Sequence, residues 1–431
     1  MICDNLSVNN SGHLLFAGQD TTLLAKKYGT PLYLLDENKI REKCRIYTNA
    51  MKKAFGEESY PLYAGKALCI KDIYRIMREE NMGIDVVSCG EIYTAKVGGF
   101  DLERAYFHGN NKTDENVSFA MECGVGTFVC DNEEELFSIS REAKRRGIVQ
   151  KILIRVAPGI DPHTHKAIST GSVDSKFGAA IETGQAKALV GLALKAENVS
   201  LEGYHCHIGS QIFETEPFLE AGKIMLSFLK DMKDEYGFEA PEINIGGGMG
   251  VRYLESHPQL DYEKNILEIG QYMKKTASEL GVKMPRVRME PGRSIVADAG
   301  MTLYTAGTLK EIKGFRNYVS IDGGMPDNPR YALYESPYTV VMANRMNDEC
   351  DMSCTIAGMC CESGDLIQEN VPLPRPVRGD IIAVLTTGAY NYSMASNYNR
   401  TPRPAMVMLK DGKERLILRR ETYEDLLRNE L

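Results

Sequence analysis

A chain of 431 residues, 43% hydrophobic and 26% charged, has enough apolar surface for two domains with separate cores, which excludes a disordered or fibrous protein. Its net charge of −8 offers no basic face to a nucleic-acid backbone or an anionic lipid surface, so the expected ligand is a small molecule. The sequence has no basic leader and no apolar run of bilayer length, and its eleven cysteines are scattered rather than spaced as a disulfide framework, so the expected compartment is the cytoplasm.

In chain order, the strand-like Pro31-Leu32-Tyr33-Leu34-Leu35 comes first. From about residue 60 to 290 a short apolar run followed by a helical pattern then recurs eight times. The runs are Leu62 to Ala64, Ile84 to Val87, Ala105 to Phe107, Thr127 to Cys130, Ile152 to Val156, Leu201 to Cys206, Ile243 to Ile245 and Val287 to Met289. Ile70, Ile73, Tyr74 and Met77, at helical spacing, and the stretch Phe218 to Tyr236 are the clearest helices between them. Eight strand–helix repeats of this length predict a closed (β/α)₈ barrel, an α/β fold, over residues 36–285. Beyond about residue 300 the pattern changes to prolines at 372, 374 and 376, the run Asp380 to Leu385, and Asp411-Gly412 between two apolar runs, a hairpin signal. Residues 286–431, with 1–35, are expected to form a second, all-β domain of barrel or sandwich type. Cys350, Cys354, Cys360 and Cys361 cluster in the sequence, but without histidines or paired ligand spacing, and no metal is expected there.

Active sites of such barrels lie at the C-terminal ends of the strands. The residues that follow the runs include Lys66, His108, His207 with Gly209-Ser210, Gly246-Gly247-Gly248, and Glu290-Pro291-Gly292-Arg293. The glycines can bring bare N–H groups against a phosphate, with Ser210 adding a donor; alone they also read as a plain tight turn. Lys66 at a strand end is suited to forming an imine with a carbonyl, though a lysine of this kind is equally at home on a solvated surface. A phosphate cradle, an imine-capable lysine and a carboxylate together suit a phosphorylated pyridine aldehyde. Glu290 would keep the pyridine nitrogen protonated, and His207 would stack on the ring or simply close a hydrogen bond at its strand end.

Several motifs in order carry a family resemblance: Tyr63-Ala64-Gly65-Lys66-Ala67, Thr170 to Gly178, His205 to Gln211, Gly246 to Gly248, Glu290 to Arg293, Asn328 to Tyr334, Cys361-Glu362-Ser363 and Gly388-Ala389-Tyr390. Over nearly its whole length the sequence resembles the diaminopimelate decarboxylases, a family of the alanine-racemase-like class of pyridoxal-phosphate enzymes. The resemblance implies pyridoxal 5'-phosphate on Lys66, with His207, Ser210, Gly247, Gly248, Glu290, Pro291, Gly292, Arg293 and Tyr390 holding it. It implies Arg293, Arg330, Tyr334, Glu362 and Tyr390 on the substrate, and a homodimer in which Cys361 and Glu362 act in the partner's site.

The implied reaction converts meso-diaminopimelate to L-lysine and CO2, the last step of lysine biosynthesis. A Cys361 thiol, with a reference pKa of about 8.5, is largely protonated at neutral pH and can return a proton; Lys66 is the rival donor. Two arginines and Glu362 suit a distal end that is itself amino-acid-like, whereas ornithine, arginine or a carboxylated polyamine, the substrates of sister decarboxylases, would leave an arginine without its anion. The sequence departs from the family in two places. Met359-Cys360 sets a second thiol beside Cys361, and Leu68 stands where the family more often has Asn.

Overall fold

The computed structural model describes residues 1–160 and 175–431, so the part of the Thr170 to Gly178 motif before Ser175 lies outside the described residues. Contacts divide the chain into one unit of Lys43–Gly250 and Leu260–Gly292 and another of Met1–Glu42, Val251–Gln259 and Arg293–Leu431.

The first unit holds strands β1 Tyr60–Ala64, β2 Gly83–Val86, β3 Ala105–Phe107, β4 Thr127–Cys130, β5 Gln150–Ala157, β6 Val199–His205, β7 Glu242–Asn244 and β8 Arg286–Met289. Each pairs in parallel with the next, and β8 returns to β1 through Arg288↔Tyr60 and Met289↔Pro61, closing the barrel. Every strand falls on one of the eight apolar runs. The reason is burial on both faces: helices cover the outside and side chains fill the inside, so β5 is buried at Ile152, Leu153, Ile154 and Val156 without alternation. Leu62, Tyr106, Val129 and Leu153, from four strands, form one buried cluster, with Tyr60 packed against it.

Helices α1 Glu37–Phe55, α2 Lys71–Glu79, α3 Cys89–Val97, α4 Asp114–Glu122, α5 Glu133–Arg146, α6 Gln185–Ala193, α7 Glu216–Tyr236 and α8 Tyr262–Leu280 accompany the strands. Helix α5 shows how local sequence sets an element. Asn132 caps the Glu135 N–H, three glutamates occupy the positive first turn, Lys144, Arg145 and Arg146 the negative last turn, and Gly147 ends it in the left-handed conformation. Helix α2 buries Ile73, Tyr74, Ile76 and Met77, one apolar face at helical spacing. Among the described residues no helix is long and apolar enough to cross a membrane.

The second unit is β-rich. Its larger sheet runs in the order Leu366–Leu373, Met352–Ala357, Arg316–Ile321, Gly300–Ile312, Leu32–Asp36, Ala405–Lys410, Lys413–Leu418. The N-terminal strand Leu32–Asp36 thus lies in this sheet, antiparallel to Gly300–Leu303 and parallel to Ala405–Leu409. Asp411 and Gly412, both at positive φ, turn the final hairpin. Pro372 sits on the terminal strand of the sheet, where the missing N–H leaves no inner ladder unmade.

Because Leu153 is fully buried in the barrel cluster, Leu153→Ala is expected to lower stability by about 2–5 kcal/mol through lost transfer energy and a residual cavity, read from the urea midpoint at unchanged slope.

Candidate active site

Lys66 lies in the single 3₁₀ turn Gly65–Ala67 that follows β1. Its side chain is 41% exposed, and its Nζ is 3.5 Å from Asp85 Oδ2 on β2, a carboxylate only 1% exposed. The pairing Ala64↔Asp85 sets these two strand ends side by side. A cationic amine at the barrel mouth is therefore oriented by a buried anion while its tip stays within reach of solvent.

The strongest polar construction is built on Glu290, the residue after β8. Its Oε2 accepts from His205 Nε2 at 3.1 Å, and its Oε1 accepts from Asn244 Nδ2 at 2.7 Å and lies 2.9 Å from His108 Nε2. The two imidazole rings meet edge to face at 4.7 Å. Burial by itself would raise the Glu290 pKa, but the two histidines outweigh burial and hold it well below the ordinary carboxylate range. Burial also pushes His205 down to about 3 against the pull of Glu290, so the imidazole is neutral and donates its Nε2–H to a charged carboxylate. Asn244, at the end of β7, binds in two directions, since its Oδ1 accepts from Gly246 N at 2.9 Å.

That bond starts the glycine turn. Glu290 N donates to Gly246 O at 2.8 Å, and Gly247 N donates to His207 Nδ1 at 3.3 Å. A Cβ on Gly247 would fall 2.1 Å from the Glu290 carbonyl oxygen, so the turn follows the last strand at a distance that only glycine permits. Burial keeps His207 well below its ordinary pKa, leaving a neutral ring between the glycine turn and the β6 end. Ser210 is half-buried on the loop after β6, which runs beside the turn through Ile212 N to Gly248 O at 2.9 Å. Pro291 O accepts from Ala64 N at 3.1 Å, and Gly292 lies against Ala64, so this motif seals the seam between β8 and β1.

In the second unit Arg293 and Arg330 are both buried and lie over the same ring, with their guanidinium carbons 4.8 and 5.2 Å from the centroid of Tyr390. Tyr390 is at φ 65°, a left-handed conformation that costs a non-glycine residue about 1 kcal/mol or more and here aims its ring at the two cations. Arg293 donates to Tyr253 Oη at 2.9 Å. Arg330 also lies over Tyr334, at 5.2 Å, and donates to Ser336 Oγ at 3.3 Å, yet its buried Nε meets no acceptor and its guanidinium no carboxylate among the described residues. Cys361 and Glu362 are exposed on a loop of their own, where Cys361 N donates to Asn399 Oδ1 at 3.0 Å. They make no hydrogen bond or ion pair to Arg293 or Arg330 among the described residues.

Reasoning from sequence missed Asp85, His205, Asn244 and Tyr253. A charged or polar residue inside an apolar run, as in Ile84-Asp85-Val86 and Tyr204-His205-Cys206, is the signal that picks out the first two. Tyr253 comes from irregular chain after β7 and carries no such signal.

A family model described as pyridoxal-dependent decarboxylase, pyridoxal binding domain, matches residues 37–297. The chain is 44% identical to the diaminopimelate decarboxylase of Bacillus subtilis (strain 168), over 98% of this chain and 96% of the relative. It is also 44% identical to that of Staphylococcus aureus (strain COL), over 98% of each. Its structure matches the crystal structure of diaminopimelate decarboxylase from M. jannaschii in co-complex with L-lysine with a TM-score of 0.93, at 34% identity, covering 100% of this chain and 98% of that one.

The neutral state of His205 has a consequence for stability. Its folded pKa lies below the unfolded value of 6.5, so the unfolded chain binds the extra proton and stability falls as pH drops from 6.5 toward 3. Glu290, also lowered, adds a loss of the same sign only below 4.5. Between 6.5 and 4.5 the native protein should therefore lose up to about 1.4 kcal/mol more per pH unit than His205→Gln. Urea midpoints across that interval measure the difference, and parallel curves would contradict a buried neutral His205.

Proposed function

The chain belongs to the diaminopimelate decarboxylases of the pyridoxal-dependent decarboxylase family, and on that basis we propose that it converts meso-diaminopimelate to L-lysine and CO2, the closing step of lysine biosynthesis. The observation that carries this reading is the buried Glu290 carboxylate, held charged by His108, His205 and Asn244 in the same barrel end as Lys66 and a glycine turn.

Pyridoxal 5'-phosphate fits the residues of this barrel end. Lys66 presents a primary amine with its tip accessible, the Gly246 to Gly248 turn is bare backbone packed against Cys206, Gly209 and Glu290, and the charge of Glu290 has the neutral imidazole of His205 beside it. In this reading Lys66 anchors the cofactor, Gly247, Gly248 and Ser210 bind its phosphate, Pro291, Gly292 and Arg293 also hold it, His207 packs on its ring and Tyr390 contacts it. When bound, the cofactor supplies a cationic conjugated ring that accepts the electron pair left by departing CO2. Glu290 contributes a fixed negative charge, placed without reorganisation, that favours a proton on a nitrogen beside it.

Arg293 and Arg330 are the proposed grip on the distal carboxylate, with Tyr334 beside them and Glu362 pairing with the distal ammonium. Support comes from the unmet Nε of Arg330, a buried donor that an anion would satisfy. Cys361 holds a transferable proton at Sγ and Lys66 one at Nζ; both are candidates to protonate the carbon that has lost CO2. The exposure of Cys361 and Glu362 on their own chain supports a homodimer in which they serve the partner's site. We take the barrel, which extends past residue 285 through β8 and Glu290, as the cofactor domain and the β-rich unit as the domain that completes the neighbouring site, and place the enzyme in the cytoplasm, where scattered thiols stay reduced.

Purified protein with pyridoxal phosphate is expected to release CO2 from meso-diaminopimelate and to form L-lysine, and Lys66→Ala to abolish both. Turnover of ornithine or arginine with none of diaminopimelate would refute the substrate. Neither Lys66→Ala nor Cys361→Ala homodimers should be fully active, but mixing the two under subunit exchange should restore part of the activity, since one hybrid site keeps both residues. Proven exchange without recovery would count against a shared site.

A further inference from the structure

The loop that carries Cys361 and Glu362 is closed on itself and tied to a neighbour by one buried side chain, Asp365, only 2% exposed. Its Oδ2 accepts from Cys360 N at 2.8 Å and its Oδ1 from Met325 N at 2.6 Å. Its backbone closes the loop, with Gly358 N donating to Asp365 O at 2.8 Å and Asp365 N donating to Glu362 O at 3.1 Å. Met359 N donates to Gly323 O at 3.0 Å, adding a second tie to the loop of Gly323 to Asn328 that leads into Arg330. A Cβ on Gly358 would fall 2.1 Å from Asp365 Oδ2, so the loop comes as near the carboxylate as backbone can.

The same carboxylate separates the two adjacent thiols. Burial and the nearby Asp365 charge push the Cys360 thiol up to about 12, whereas Cys361, one residue on, is exposed. Cys360 N is fixed on Asp365 Oδ2 and Glu362 N donates back to Cys360 O at 2.8 Å, so the bend at residues 359–361 is held with the Cys360 sulfur toward the carboxylate and Cys361 exposed.

We propose that Asp365 is a positioning residue: its two oxygens hold the loop of residues 358–365 in the register that turns Cys360 inward and offers Cys361 and Glu362, and tie that loop to the one leading into Arg330. This rests on the roles proposed above for Cys361, Glu362 and Arg330. Both oxygens act as acceptors for backbone N–H groups, so a residue of equal size with one acceptor and one amide donor cannot replace it. Asp365→Asn sets an NH₂ against one of those N–H groups and releases that strand of the clasp.

The test uses full-length protein with pyridoxal phosphate and two readouts. Brief iodoacetamide treatment followed by peptide mass spectrometry reports which of Cys360 and Cys361 is alkylated. Native protein should react at Cys361, and Asp365→Asn should react at Cys360 several-fold faster than native protein does. Steady-state decarboxylation of meso-diaminopimelate should show kcat about 100-fold lower in Asp365→Asn, the scale expected when reacting groups are displaced by about 1 Å, with the cofactor absorbance on Lys66 retained. Asp365→Glu, which keeps two acceptors, should recover part of the kcat. Should Asp365→Asn fail to fold, Gly358→Ala, which pushes the loop off an intact Asp365, is expected to show the same change of alkylation. An unchanged alkylation pattern in an active enzyme overturns the proposal and leaves the reaction standing. A changed pattern in a protein whose native form does not decarboxylate diaminopimelate upholds the clasp and refutes the reaction.

Discussion

A carboxylate kept charged inside a closed barrel is the constraint from which the rest of the barrel end follows. Removing an ion of that size from water costs several kcal/mol even after relaxation, and hydrogen bonds must offset it. Glu290 obtains two from other strand ends, His205 on β6 and Asn244 on β7, and lies 2.9 Å from His108 Nε2 after β3. Each donor in turn fixes its own surroundings, Asn244 by accepting from Gly246 and the histidines by packing edge to face. Barrel register and site geometry are thus one problem. A shift of β7 by one residue would turn Asn244 outward, leave Glu290 short of a donor and release the glycine turn.

The second unit inverts this arrangement. It buries cations, two guanidiniums against one tyrosine ring, and it leaves a donor of Arg330 unmet. Aromatic faces attract cations but provide no hydrogen-bond acceptor in the guanidinium plane, so such a pair is stabilised without being satisfied. The strain stored at Tyr390 is consistent with that: a positive φ is maintained to hold the ring where two charges need it.

Much of the barrel is legible in the sequence because a parallel strand buried on both faces leaves an uninterrupted apolar run, and eight such runs match eight strands. Lys66, Glu290 and the glycines stand out because they end those runs. Asp85 and His205 are marked only as polar residues inside apolar runs, and it takes the closed sheet to show that they turn toward Lys66 and Glu290. The ambiguity between Cys360 and Cys361 is of another kind. Adjacent residues of one type have identical signatures, and they are told apart by a backbone hydrogen bond to a carboxylate four residues beyond Cys361, which no periodicity records.

Under the proposed reaction the two classes of residue also differ in what they contribute. The distal carboxylate of diaminopimelate is present in substrate, transition state and product alike, so Arg293 and Arg330 grip all three equally. Uniform binding of that kind lowers KM without raising kcat, and it retains L-lysine as readily as its precursor. The proton returned to carbon, by contrast, is needed only after CO2 has left, and its donor must be placed to within a fraction of an ångström. A charged pocket tolerates loose loops, since coulombic attraction varies gently with distance, but a proton donor does not. That difference accounts for the closing of the Cys361 loop by a buried carboxylate.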